Sequence, residues 1–139
     1  MRLLIASSIH SEAIAALQRH HDVVCAFNAP EEQLRALVPD REALIFRSGV
    51  QISARVMEAA PHLRLLLRAG SGTDNIDLDY VYRNHLTLIR IPGPGAKAVA
   101  ELSFSLMLNL ARNVIPANEQ WQQGHWVKKE MTGYNLTGK

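Results

Sequence analysis

The chain predicts an α/β fold in which parallel strands alternate with helices, and three observations carry that prediction. Four short apolar runs, at residues 3–6, 44–46, 65–67 and 86–91, each stop at a polar or glycine-bearing corner. Aliphatic runs of this length read as strands buried on both faces. Amphipathic, helix-like stretches separate them, the alternation that right-handed crossovers in a parallel sheet require. The corners carry Ser7-Ser8, Arg47-Ser48-Gly49, Arg68 before Gly70-Ser71-Gly72, and Arg90 before Pro92-Gly93. Open parallel sheets bind ligands beyond the carboxyl ends of their strands. Three arginines beside serine and glycine there suit a small anion.

Taken in order, residues 2–6 form the first strand. Ser11 then caps a helix to about residue 20, with Ile14 and Leu17 facing inward. Residues 22–27 are a second strand, favoured by β-branched Val23 and Val24. Pro30 opens a short helix through Leu34 and Leu37, and Pro39 ends it. A third strand at 43–46 leads to a helix at 54–60, capped by Ser53 and stopped by Pro61. The fourth strand is 63–67. Asp77 caps a helix through Tyr82, and 86–91 is the fifth strand. The expected sheet is five-stranded and flavodoxin-like, with order 2-1-3-4-5 and its switch point between strands one and three. Ser7-Ser8 and Arg47-Ser48-Gly49 then form two lips of one crevice.

The pattern changes after Pro94, which sets expected units of 1–94 and 95–139. From Val99 to Ile115 the chain reads as one helix, roughly 25 Å long at 1.5 Å per residue. Its polar residues Glu101, Ser105, Asn109 and Arg112 make one narrow stripe, and most of the rest is apolar. A helix apolar over most of its circumference needs covering by another domain or subunit. Residues 121–139 hold two tryptophans, several Gly and Thr, and little helix or strand signal.

Composition excludes several classes. A formal charge of +2 without a basic run, and aromatics at 6%, argue against nucleic acid. Cys25 is the only cysteine, which rules out an internal disulfide framework and fits a reducing, cytoplasmic setting. The apolar run after Met1-Arg2 is too short for a signal peptide, and no run reaches the roughly 18 apolar residues of a membrane span. Asp74, Asp77 and Asp79 read as caps and turns rather than a calcium loop. The six histidines show no metal spacing, so no metal is expected. No nucleophile elbow is present. Cys25 reads as a small core residue in mid-strand.

Two glycine-bearing stretches compete for the chemistry. Gly93-Pro94-Gly95-Ala96-Lys97-Ala98 matches G-x-G-x-x-A after a strand. A dinucleotide unit, however, needs a second strand after the helix, and none follows, so a hinge and helix start is the better reading. Residues 68–75, Arg-Ala-Gly-Ser-Gly-Thr-Asp-Asn, are more specific. Either successive backbone N–H groups form an anion-binding nest, or glycine tightens a turn in which Asp74 and Asn75 bond their own backbone. Arg47 is either a forked donor for carboxylate or phosphate, or a solvated strand-end charge.

Arg68 through Asp77, together with Ala98-Val99-Ala100-Glu101-Leu102, Gly124-His125-Trp126 and Asn135-Leu136-Thr137-Gly138-Lys139, resembles the D-isomer-specific 2-hydroxyacid dehydrogenases over essentially the whole chain. The resemblance implies a flavodoxin-like substrate domain, with a Rossmann NAD domain inserted after a hinge. It implies that Arg47, Ser48 and Gly49 contact a small 2-hydroxy or 2-keto acid, and that the backbone of Gly70, Ser71 and Gly72 receives its carboxylate. Catalytic Arg, Glu and His would lie beyond Lys139, so no catalytic residue is expected here. Ala96 stands where many members have Ser or Thr near the nicotinamide, and Gly95 where many have Asn. NAD would serve the intact enzyme and would not bind this chain alone. The Val99-to-Ile115 helix corresponds to the interdomain helix, which implies self-association as a homodimer, with or without exchange of that helix. Without the resemblance, a non-enzymatic module binding an anion or a protein partner remains open, as does a small NAD-binding protein built on residues 93–98.

Overall fold

The computed structural model describes residues 1–138. By contacts the chain divides into two compact units, Met1–Gly93 and the residues from Pro94 onward. The first unit holds strands β1 (Arg2–Ile5), β2 (Asp22–Cys25), β3 (Ala43–Phe46), β4 (Leu65–Arg68) and β5 (Thr87–Arg90). They form one sheet in the order β2-β1-β3-β4-β5, every pair parallel, as the strand–helix alternation predicts. Helices α1 (Ser11–Gln18), α2 (Glu31–Leu37), α3 (Ala54–Glu58) and α4 (Leu78–Arg83) make the crossovers.

The central strands β1 and β3 are buried almost throughout, and Leu4, Leu44, Phe46 and Leu66 join Leu34, Val56, Met57 and Val81 in one core. Each such side chain contributes about 1.5–3 kcal/mol by leaving water. The outer strands depart from burial on both faces because each has a neighbour on one side only. On β5, Ile89 remains 45% exposed. Cys25, at the end of edge strand β2, is exposed and is not the core residue its mid-strand reading suggested.

Local capping follows the side chains in two helices: Ser53 accepts from the Val56 N–H, and Asp77 from the Tyr80 N–H at 2.9 Å. α1 differs from expectation. Ser11 is already its first helical residue, and His10 is the N-cap, its ring accepting from the Glu12 N–H. Ile14 and Leu17 are half-buried on that helix.

In the second unit, α5 spans Gly93–Arg112 and α6 spans Val114–Gln122. The single Val99-to-Ile115 helix is therefore corrected to two, meeting at a 66° bend. Asn113 makes the break: its φ of 51° is left-handed, a conformation Asn tolerates better than most residues. Pro116 then sits in the first turn of α6, where no N–H is needed, so it does not block the helix that sequence missed. The following segment closes on the break. Tyr134 N–H donates to Ala111 O at 2.6 Å, and Asn113 Nδ2 donates to Thr132 O at 3.2 Å. Gly133 passes so near Ala111 and Arg112 that a Cβ there would lie 2.7 Å from Arg112 Cα. Between Pro94 and Gly138 no residue is buried. No single helix among the described residues is long and apolar enough to cross a membrane.

Candidate functional site at the carboxyl end of the sheet

Strand register brings the arginines together. Phe46 lies opposite Arg68, and Arg68 opposite Arg90, so Arg47, Arg68 and Arg90 leave three adjacent strands at one level. Neighbouring strands are about 4.8 Å apart, so the positive charges share one rim. Ser7 sets the first lip. It is buried at the end of β1, and its Oγ accepts the Arg47 N–H at 2.9 Å, tying β1 to the turn after β3. Across that turn, a Cβ on Gly49 would lie 4.0 Å from Asn28 Oδ1.

Arg68 is the buried member, 4% exposed. Its Nε donates to Asn75 Oδ1 at 3.0 Å, and Nη2 lies 3.8 Å from the exposed Asp74 carboxylate. The loop between them lies against the guanidinium. A Cβ on Gly70 would press on Arg68 Nη1, and one on Gly72 would lie 3.4 Å from Nη2. Neither glycine has a positive φ, so what each supplies here is space rather than backbone freedom, and the closer approach is at Gly70. Arg90 donates from Nη1 to Ser71 O at 3.1 Å and braces the same loop from β5. A cavity of about 270 Å³ opens beside it, lined by Thr73, Tyr82, Leu88 and Arg90 among others.

Both sequence readings of this loop need revision. Asn75 does not bond its own backbone. Buried at 4% exposure, it donates Nδ2 to Arg47 O at 3.0 Å and to Val50 O at 2.6 Å, both on the turn after β3. Nor are all three glycine-loop amides available as a nest, because Gly70 N–H turns back to Arg68 O at 2.8 Å. The Ser71 and Gly72 N–H groups, and those of Ser48 and Gly49, have no acceptor among the described residues. Arg47 is exposed and makes no side-chain hydrogen bond or ion pair among them either. Sequence reading missed Arg68 and Asn75 as a buried pair. The available signal was an arginine on the last residue of an apolar strand, followed by two closely spaced glycines.

No group of three or more His, Cys, Asp or Glu side chains among the described residues is placed to hold a metal. The dinucleotide reading of residues 93–98 fails on geometry. Gly93 through Ala98 lie within α5, a Cβ on Gly93 or Gly95 would meet nothing within 4 Å, and α6 rather than a strand follows. A dinucleotide cradle needs glycines for close backbone approach between a strand and a helix that returns to a second strand. Ala96 is exposed on this helix, and the residues here do not fit NAD. In the second unit, a cavity of about 380 Å³ is lined by Trp121, Trp126 and Met131 among others, the two indoles packed edge to face. None of the predicted site residues lines it.

Comparison with known proteins agrees with this arrangement. The family described as D-isomer specific 2-hydroxyacid dehydrogenase, catalytic domain, matches residues 3–132. D-3-phosphoglycerate dehydrogenase of Methanocaldococcus jannaschii is 32% identical over 139 residues, covering all of this chain and 26% of that protein. The TT0316 protein from Thermus thermophilus superposes with a TM-score of 0.86 at 25% identity, over 98% of this chain and 46% of the other. NAD-dependent formate dehydrogenase from Staphylococcus aureus, solved with NAD, shares the fold at a TM-score of 0.81 and 22% identity, over 98% of this chain and 46% of its own. The chain thus spans about a quarter to a half of the proteins it matches. A parallel 2-1-3-4-5 sheet with its cationic rim, matched from residue 3 to residue 132, belongs to the D-isomer specific 2-hydroxyacid dehydrogenases.

Proposed function

We propose that the first unit is the substrate-binding part of an NAD-dependent dehydrogenase acting on a small 2-hydroxy or 2-keto acid. One observation carries this reading: four backbone N–H groups, at Ser48, Gly49, Ser71 and Gly72, lack internal acceptors where Arg47 and Arg68 emerge. A carboxylate satisfies such donors with charge-assisted bonds, each worth about 1.5–3 kcal/mol. The exposed Arg47 fork supplies a second anchor for the acid's carboxylate or a distal anionic group. Gly70 contributes space for Arg68 rather than a donor. The unit boundary expected near residue 94 separates acid binding from the helical segment. The residues described here provide no dinucleotide cradle, so by themselves they bind the acid without transferring hydride. A reducing, cytoplasmic setting suits the lone, exposed Cys25.

Glyoxylate titration of the chain tests the reading by calorimetry or thermal shift. Arg47→Ala, which removes an unpartnered exposed side chain, weakens binding at least about tenfold and leaves urea stability within about 0.5 kcal/mol. Stabilisation by inorganic phosphate alone, with none by 2-keto acids, favours a non-enzymatic anion-binding module. Steady glyoxylate-dependent loss of NADH absorbance by these residues alone overturns the binding-only role.

We further propose that the second unit mediates self-association into a homodimer, with or without exchange of α5. Val99, Leu102, Phe104, Met107 and Leu110 are each more than half exposed, Leu110 by 82%. A standard interface buries about 800 Å² per partner, and large apolar side chains around more than half the circumference of a 20-residue helix offer surface on that scale. Sedimentation at tens of micromolar should show a dimer that Leu110→Glu dissociates. A clean monomer before mutation refutes it.

A further inference from the structure

We propose that Asn75 is a positioning residue that locks the two lips of the acid-binding crevice into one rigid unit. The inference rests on the crevice assigned above, and its evidence is a set of bonds rather than any ligand. The Asn75 amide has one acceptor oxygen and two N–H donors. All are used: the oxygen by Arg68 Nε at 3.0 Å, the donors by Arg47 O at 3.0 Å and Val50 O at 2.6 Å. One buried side chain therefore ties the carboxyl end of β4 to the turn after β3, 25 and 28 residues earlier in sequence.

The neighbouring backbone does not duplicate this work. Ile52 and Ile76 form a single parallel bridge, with Ile52 N–H on Asn75 O at 2.9 Å and Asp77 N–H on Ile52 O at 3.1 Å. That bridge fixes the chain after each turn. Inside the first turn, the remaining backbone bond is Val50 N–H to Arg47 O at 3.5 Å, too long to hold Ser48 and Gly49 in place. The Asn75 donors reach the carbonyls at both ends of that turn. In the second lip, Arg68 is the side chain against which Gly70 and Gly72 pack, and Asn75 holds its Nε. Removing the amide releases both lips, because each loses its hydrogen-bond partner.

The two donors and the one acceptor act on different lips, so substitutions can separate them. Backbone ¹⁵N relaxation of the full chain, without ligand, reads each lip independently. In Asn75→Ala, order parameters at residues 48–49 and at 70–73 should both fall from about 0.85 toward 0.6, with β1 and β3 unchanged. Asn75→Asp keeps an acceptor for Arg68 and loses both donors, so residues 48–49 should loosen while 70–73 stay ordered. That split is a signature that general destabilisation would not produce, and Asn75→Asp carries the test alone if Asn75→Ala does not fold. Unchanged order at residues 48–49 in Asn75→Asp, or loosening confined to 70–73 in Asn75→Ala, overturns the proposal. In a second arm, glyoxylate should bind Asn75→Ala at least about tenfold more weakly than the unsubstituted chain. Equal affinity of the two overturns the positioning role. Absence of glyoxylate binding to the unsubstituted chain defeats the carboxylate reading instead, and the relaxation arm still decides whether Asn75 locks the lips.

Discussion

The two ends of the sheet use arginine in opposite ways. At the amino end, Arg64 pairs with Glu42, Arg41 donates to Asp22 at 3.2 Å, and Glu42 accepts the Arg2 N–H at 2.8 Å. Those guanidinium groups meet carboxylates and are consumed by structure. At the carboxyl end, Arg47 has no partner among the described residues, and Arg90 reaches only a backbone carbonyl. Arg68 is held by a neutral amide, with its one carboxylate at 3.8 Å. Arg41 and Arg64 at the amino end thus face carboxylates, although the Arg2 side chain there has no partner among the described residues, whereas Arg47 and Arg90 at the carboxyl end face none. In a parallel sheet that is the end where ligands bind, and it is the end where loops rather than tight strand-to-strand ties set the geometry.

The largest test of this contrast is steric. Gly70 and Gly72 look equivalent in sequence, but an added Cβ meets different neighbours. At Gly70 it lands on Nη1 of Arg68, a buried guanidinium whose Nε is held by Asn75. At Gly72 the nearest atom is Asp74 Oδ1 at 2.8 Å, on a side chain 81% exposed and able to rotate into water. Gly70→Ala should therefore destabilise by about 1–3 kcal/mol, in the range of overpacking, and Gly72→Ala by less than about 1. Urea midpoints of the two variants check this. Equal losses would mean that the loop does not rest on Arg68.

This difference also marks how far the sequence could be read. Apolar runs such as Leu44-Ile45-Phe46 specify buried parallel strands through period and length, and the flavodoxin-like order 2-1-3-4-5, favoured among the doubly wound arrangements, is the one observed, so the sheet was legible. Ser53 and Asp77 were legible as caps because their bonds are local. The role of Asn75 was not: its three bonds join residues 7, 25 and 28 positions apart, and a turn-forming Asn looks the same in sequence. Arg68 was visible as a strand-end charge, but its burial depends on what the glycines leave room for. The break at Asn113 was missed because apolar residues continue across it, and Pro116 lies in the first turn of the helix that follows. Cys25 was misplaced because it was read in mid-strand, whereas it ends β2, a strand that the expected order itself puts at the edge.

The smallest expected effect lies at the opposite end of the sheet and depends on pH. Glu42 begins the chain's entry into β3, and its carboxylate takes the Arg2 N–H at the start of β1 and the Arg64 side chain just ahead of β4, so it fastens three adjacent strands. The Arg2 backbone hydrogen bond, followed by the Arg64 side-chain bond, holds its carboxyl below the ordinary glutamate value, against a smaller opposing effect of desolvation. A depressed folded value means that the unfolded chain takes up the proton first as pH falls. The stabilisation is thus fully present above the ordinary carboxyl range near 4.3 and is lost as pH drops below it through the folded value. Glu42→Gln removes the charge while keeping an acceptor, so its melting temperature should lie below that of the unsubstituted chain at pH 7 and converge with it as pH falls through the lowered value. Acid binding at the far end should stay unchanged at pH 7. Parallel melting curves across that pH range would show that the amino-end pairing contributes nothing to stability, and a loss of glyoxylate binding in Glu42→Gln would show that the two ends are not independent.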